Sequence, residues 1–425
     1  MNTWNATEIL NALGEPNAWK GHPEHWDEAM AAMPPGPLPF LDKATLPERC
    51  LAARIAPDRA AYLATVADEV AADPVLKTYA WYMHWRVFVA PENGVPWGSP
   101  SLRPKMGARG GAVYLLLALD FPERLAQYHH KLGYPPEVTS ETVLEIGCYE
   151  AGHLKGDGVP GIYAGAFSWF STYQIMPFVR LGRLEYQLHE YGGGVNVFKR
   201  DSDGAILALA DDGTQVADDG LQLSAKASPE SGWTTTFKQG GDSVAGNPVD
   251  PRGRILRRDA TLPLPAWEKI LSEGDTVLDI HIPYGGGMGW DLVFESLNRA
   301  TAFFSQHHSD RPIRGIVVTT WFMDPRLDGL LPPESNPVRF QRACHLYPCY
   351  PSPGSFGFIF PGAGTAAPDR LPRETSVQRA IVGFLEKGGV WHGGSMFILP
   401  SDVPNLRENF YRDGFDMVAK ELFAK

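Results

Sequence analysis

The sequence predicts an α+β protein, with a helical N-terminal domain over residues 1–160 and a mixed β-sheet flanked by helices over residues 161–425. Three observations carry this. Up to residue 160 apolar side chains recur every three to four positions, the period of a helix face. From Arg183 the period shortens to two, in RLEYQLHEY, as in a half-buried strand. The stretch 276–308 then reads as strand, glycine-rich loop and helix.

In the first part the period predicts helices over 6–13, 23–33, 56–72, 74–87, 112–132 and 136–151. Asp73 ahead of Pro74, and Pro135-Pro136, are helix starts. Tyr79, Trp81, Tyr82, Trp85 and Phe88 form an aromatic load that suits a bundle core. The Pro- and Gly-rich stretch from Pro91 is a long loop, and 161–179 reads as one more helix ending near Pro177. Strands at 195–198 and 205–210 flank the hairpin turn Asp201-Ser202-Asp203-Gly204. Residues 211–265 are polar and rich in Gly and Pro, an elaborated loop or covering segment, and 267–271 reads as a short helix. Later elements are a strand at 314–321, helical pieces at 327–331 and 337–344, a strand at 355–360, a helix at 376–387, a strand at 394–399 and a closing helix at 406–423.

At 425 residues the chain suggests two or three domains, and 44% hydrophobic with 20% charged residues is the composition of a folded globular protein. A net charge of −11 argues against nucleic acid or an anionic membrane as partner. The start, MNTWNATEIL, lacks the basic and apolar regions of a signal peptide, and no apolar run approaches the ~20 residues of a membrane helix, so a cytoplasmic location is expected. The four cysteines are scattered, as in a reducing compartment. Neither Cys344 with Cys349 nor HPEH at 22–25 has a metal-site spacing, so no metal is expected.

Residues 277–282 are a β-branched and apolar run, and 284–289 contains four glycines. From Asp291 the apolar side chains Leu292, Phe294, Leu297, Phe303 and Phe304 keep helical spacing. A glycine loop feeding a helix N-terminus presents free N–H groups and a positive dipole end, an anion site that suits phosphate. The plainer alternative is a strand-to-helix connection in which the glycines serve the turn.

The order of pieces in the second half resembles the GNAT acyltransferase superfamily. LGRLEYQ at 181–187, GNPVD at 246–250, GDTVLDIHIP at 274–283 and SNPVRFQ at 335–341 resemble one branch of it, the two-domain acyltransferases with a helical N-terminal domain and a GNAT-like C-terminal domain. The resemblance implies an acyl-CoA co-substrate, with pantetheine along Ile280 and Ile282 and the pyrophosphate on Gly285, Gly286, Gly287, Met288 and Gly289. Tyr284 stands where the common pattern has Arg or Gln, which leaves a carrier-protein phosphopantetheine open as donor. Asn336 and Arg339 would contact donor or acceptor. The acceptor implied is a small-molecule amine or amino acid. Transfer or hydrolysis of a carrier-bound acyl group, and a catalytically silent binding module, are the alternatives.

Aminolysis of a thioester needs a neutral amine, a stabilised oxyanion and a protonated leaving sulfur. His281, facing away from Ile280 and Ile282, is the candidate base. A backbone N–H near Ile282 would meet the oxyanion. Glu185 and His189 share strand parity and are candidates for the acceptor side. The superfamily's tyrosine acid is replaced here by Phe340, so Tyr347 or Ser335 would protonate the thiolate. Trp321 reads as core, and Cys344 lacks a partner placed to activate it.

Overall fold

A computed structural model describes residues 4–19, 23–95, 98–223, 232–350, 356–360 and 366–423. The chain forms two compact units. One holds Met1–Leu181, Glu185–Gln187 and Ile282–Gly286; the other holds Gly182–Leu184, Leu188–His281 and Gly287–Lys425.

The first unit is helical. The Asp73 carboxylate accepts from the N–H groups of Val75 and Leu76 at 2.8 and 3.3 Å, with Pro74 in the first turn, so the helix Pro74–His84 starts where the sequence places it. Its end differs, because Trp85–Val89 is a π-helical turn. Arg86 is buried there and donates to the carbonyls of Glu24, Asn93 and Gly94, each at 2.6 Å, which clamps the turn to the following loop. The helix expected at 112–132 is two, Gly110–Ala118 and Phe121–Lys131. Between them Asp120 is held by Arg49 and His84, both at 2.7 Å, and Pro122 opens the second. Likewise 136–151 divides into Pro136–Thr142 and a helix we call α1, Glu145–Asp157. The helix expected at 161–179 is shorter, α2, Ala164–Thr172. Every residue of Gly110–Ala118 is buried, which makes it the centre of the aromatic core. Phe121 meets Phe170 at 4.4 Å, and Tyr173 stacks on Phe178 at 4.1 Å. Pairs of this kind contribute about 0.5–1.5 kcal/mol beyond their buried area.

The central sheet has six strands, labelled in chain order β1 (Phe178–Leu181), β2 (Leu184–Glu190), β3 (Thr276–His281), β4 (Gly315–Thr320), β5 (His345–Tyr347) and β6 (Gly394–Ile398), in the spatial order β1-β2-β3-β4-β6-β5. β3 and β4 are parallel, and β6 is antiparallel to both β4 and β5. The sheet is therefore mixed, as expected. Helix α3, Trp290–His307, follows β3 and buries Val293, Leu297, Ala300, Phe303 and Phe304.

Among the described residues, 211–223 and 232–265 are not a plain loop. They carry short strands, two of which join Ile206–Ala210, Val195–Arg200 and Trp267–Leu271 in a five-stranded sheet. Trp267–Leu271 is accordingly a strand and not a helix, with Trp267 in a core of Phe198, Leu209 and Phe415 and Leu271 buried at the other end. A five-residue stretch has too few positions to separate the two periods. The strand expected at 355–360 is also corrected, since Phe356–Ile359 is a helical turn, while Ser355 and His22 lie outside the described residues.

Candidate functional site

The strand registers place eight side chains of the second unit on one sheet face in two rows. Asp279 pairs with Val317, Val317 with Phe397, and Phe397 with His345. Two residues along, Thr319 pairs with Ser395 and Ser395 with Tyr347, while His281 takes the corresponding place on β3. Paired residues point to the same side, so parity alone fixes this face. Beyond Asp279 the first row is dry, with Phe397 fully buried and stacked on His345 at 4.4 Å. The second is polar, with Thr319 Oγ1 2.7 Å from Ser395 Oγ.

Asp279 and His281 stand two apart on β3, with Oδ2 and Nε2 3.8 Å from each other and side chains 30% and 29% exposed. Burial, helped by the positive character of His189, pushes His281 down to about 4. Burial pushes Asp279 up to about 6, with His189 acting in the opposite direction. At neutral pH the imidazole is neutral and the carboxylate ionised. Tyr347 is buried with its hydroxyl beside those of Tyr191 and Ser395, and burial pushes it up to about 12, so it holds its proton. Gly194, at a φ of +105°, lets the chain pass the Tyr347 ring, which a Cβ there would meet at 2.9 Å.

Next to His281 the ladder between the two parallel strands stops. The β3–β4 pairs are Val277 with Gly315, Leu278 with Ile316 and Asp279 with Val317. β3 continues to His281, while β4 continues to Thr320 and stays paired to β6 throughout. Backbone groups where two strands part need partners, and an extended ligand carrying amides supplies them. Gly285 and Gly286 then turn with φ of +78° and +65°. At the start of α3, Gly289 gives no side-chain cap, so the first-turn N–H groups have no side chain of their cap residue over them. Arg183, in the turn before β2, donates from Nε to the carbonyl oxygen of Gly287 at 2.8 Å. A guanidinium thus reaches the glycine loop from 104 residues away, at a loop whose local sequence offers no Arg or Gln.

A family model for a GNAT-like C-terminal domain matches residues 178–397, and one for an N-acyltransferase N-terminal domain matches residues 44–174. The chain belongs to the GNAT-like acyltransferase family. Solved structures agree on the fold. A mutant acyltransferase in complex with octanoyl-CoA matches with a TM-score of 0.61 at 20% identity, over 92% of this chain and 98% of that one. An acyltransferase with CoA and 10C-teicoplanin matches at 0.62 and 20%, over 93% and 99%, as does one with decanoyl-CoA and teicoplanin. No curated protein sequence matches the chain.

The GNAT-like chain distributes the other candidates differently from the sequence expectation. Glu185 is 2% exposed and does not share a solvent face with His189, which is exposed. In the first unit Tyr173 Oη donates to its Oε1 at 2.8 Å, and burial with neighbouring Glu145 pushes it well above the usual carboxylate range. Arg339 is engaged by Glu408 at 2.7 Å, and Asn336 is exposed. Ser335 precedes the helix Asn336–Ala343 without capping it, and its Oγ is buried with no hydrogen-bond partner. Phe340 is core. Cys344 is buried, bonded to the Phe340 carbonyl and raised by burial, hence inert as a nucleophile. Ile280 points into the opposite side of the sheet from His281, while Ile282 and Met288 are half-buried and Tyr284 is exposed. Asp279, Thr319 and Ser395 were missed; parity with His281 was the available signal for Asp279.

A depression of about 560 Å³ in the first unit is lined by Glu69, Asp73, Lys105 and Arg109. These charges already pair with one another, Asp73 with Lys105 at 2.8 Å and Glu69 with Arg109 at 2.7 Å, so the crevice offers a ligand little. Among the described residues no group of three or more His, Cys, Asp or Glu could hold a metal, and no helix is long and apolar enough to cross a membrane.

Proposed function

We propose that this protein transfers an acyl group from acyl-CoA to a primary amine on a small molecule, with His281 as general base. The observation that carries the reading is the end of the β3–β4 ladder beside a neutral His281. Pantetheine's two amides suit the parted edges, and the diphosphate suits the N–H groups of Gly285, Gly286, Gly287, Met288 and Gly289 at the head of α3. The related acyltransferases of the same fold hold CoA, octanoyl-CoA or decanoyl-CoA, and two hold teicoplanin compounds.

The acceptor's ammonium gives one proton to solvent before attack. The neutral amine attacks the thioester carbon, and the carbonyl electron pair moves to oxygen, where the Ile282 N–H meets it. The adduct's nitrogen passes its excess proton to His281 Nε2. Collapse re-forms the carbonyl, breaks the C–S bond and sends the pair to sulfur, which takes a proton from Tyr347 or Ser335; that oxygen then regains a proton from solvent as His281 releases its own to solvent. Arg339, already paired, and Asn336 have supporting parts at most.

Calorimetry with CoA and octanoyl-CoA, followed by a mass-spectrometric screen of amines, tests this. Binding and amide formation are expected, with turnover lost in His281→Ala. A protein that binds no acyl-CoA, or a variant with full turnover at every pH, refutes it.

A further inference from the structure

We propose that Asp279 is the residue that selects a cationic acceptor, holding the incoming ammonium beside the base; the inference rests on the acyl-transfer reading above. Asp279 is the one carboxylate on the face formed by β3, β4, β6 and β5 among the described residues, and that face carries no Lys or Arg. Its row neighbours Val317, Phe397 and His345 are buried, and the next row offers hydroxyls and a neutral imidazole. With 30% of its side chain exposed, Asp279 is reachable from this face. On this face its neighbours are apolar or neutral, and the ionisable side chain acting on it from β2 is His189, which is exposed; a carboxylate so placed attracts a cation more strongly than one in water does. The same placement repels an acceptor whose nucleophile neighbours a carboxylate, and it gives no advantage to a neutral alcohol.

The spacing makes the selection useful to the chemistry. His281 Nε2 lies 3.8 Å from Asp279 Oδ2. The separation leaves room for a nitrogen hydrogen-bonded to that oxygen at the usual ~2.8 Å to sit between it and the imidazole. Asp279 is thus a binding group that delivers the amine, and His281 the group that removes its proton after attack. An acceptor with a carboxylate beside its amine, such as a zwitterionic free amino acid, is the poorer substrate, which narrows the acceptor class to amines without a neighbouring anion.

The test uses the full chain saturated with CoA. Calorimetry is run with butylammonium and with butanol as probes, on the wild type and on Asp279→Asn. The wild type is expected to bind butylammonium and to prefer it to butanol. The isosteric variant should lose about tenfold in butylammonium affinity, as for removal of one partner of a partly buried charge pair, with CoA affinity unchanged. Added salt should weaken butylammonium binding to the wild type, a measurement that stands even if the variant folds poorly. A wild type indifferent to the probe's charge, or a folded variant that binds butylammonium as well, overturns this inference and leaves acyl transfer intact. Failure of CoA itself to bind overturns both.

Discussion

Arg183 Nε and the carbonyl oxygen of Gly287 lie 2.8 Å apart. In a trans peptide the carbonyl of one residue and the N–H of the next point in opposite directions. Drawing the Gly287 carbonyl toward Arg183 therefore turns the Met288 N–H the other way. Arg183 is set in place by its neighbours, since the Leu184 N–H donates to Ser296 Oγ on α3 at 3.2 Å. Arg183→Ala should release the peptide plane and weaken CoA binding about fivefold, the worth of one oriented hydrogen bond. Arg183→Lys should recover part of the loss. Calorimetry with CoA decides it, and an unchanged affinity in Arg183→Ala would remove the glycine loop from the binding site.

Tyr347 retains its proton near neutrality because burial pushes it up to about 12. If it protonates the leaving sulfur, Tyr347→Phe should lower kcat about a hundredfold while the affinity for CoA stays within error. Ser335→Ala, made in parallel, distinguishes the second candidate. Pre-steady-state release of the thiol reads the step directly. A Phe variant with normal thiol release means that the thiolate departs without this hydroxyl.

What the sequence revealed was local. β3, the glycine loop and α3 are contiguous, so period, glycine content and an acidic first turn located them together. What it hid was pairing. The strands within 211–265 are two to four residues long, and some of their pairings, such as Ala208 with Val249, join residues tens of positions apart. Trp267–Leu271 is short enough to satisfy either period until Val195–Arg200 pairs with it. The site divides in the same way. His281 stood out, whereas the link of Thr319 to Ser395 spans 76 positions and that of Arg183 to Gly287 spans 104. Glu185 misled because parity places a side chain on one side of a strand without saying what covers it, and here Tyr173 does.

Burial and neighbouring Glu145 push the Glu185 carboxyl well above the usual carboxylate range, so the fold favours its neutral form. Glu185→Gln keeps an acceptor for Tyr173 Oη and should change stability by less than about 1 kcal/mol. Glu185→Ala removes that acceptor and leaves a cavity, at a cost of about 2–4 kcal/mol. Urea unfolding of both variants checks the pair. Equal losses in the two would show that Glu185 is ionised and paired, contrary to its surroundings.

Asp279 and His281 should pull the stability in opposite directions as pH falls, and single variants should separate them. His281 is pushed down from 6.5 to about 4, so between those values the unfolded chain takes up a proton that the folded chain refuses. Its contribution is present above 6.5 and lost on acidification. Asp279 is pushed up from 3.8 to about 6, so between those values the folded chain holds a proton that the unfolded chain releases. Its contribution is present below 3.8 and lost as pH rises through about 6. The nearby ionisable side chain on another strand is His189, which both variants keep; Tyr347, pushed up to about 12, stays protonated throughout. Asp279→Asn leaves the histidine effect alone, so its urea midpoint should fall more steeply than that of the wild type between pH 6.5 and 4. His281→Asn leaves the carboxylate effect alone, and its midpoint should fall less steeply, or rise, from pH 6 toward 4. Comparison with the wild type at each pH cancels the rest of the chain. Three parallel curves would mean that neither group is shifted by folding, and that His281 is not held neutral by its surroundings.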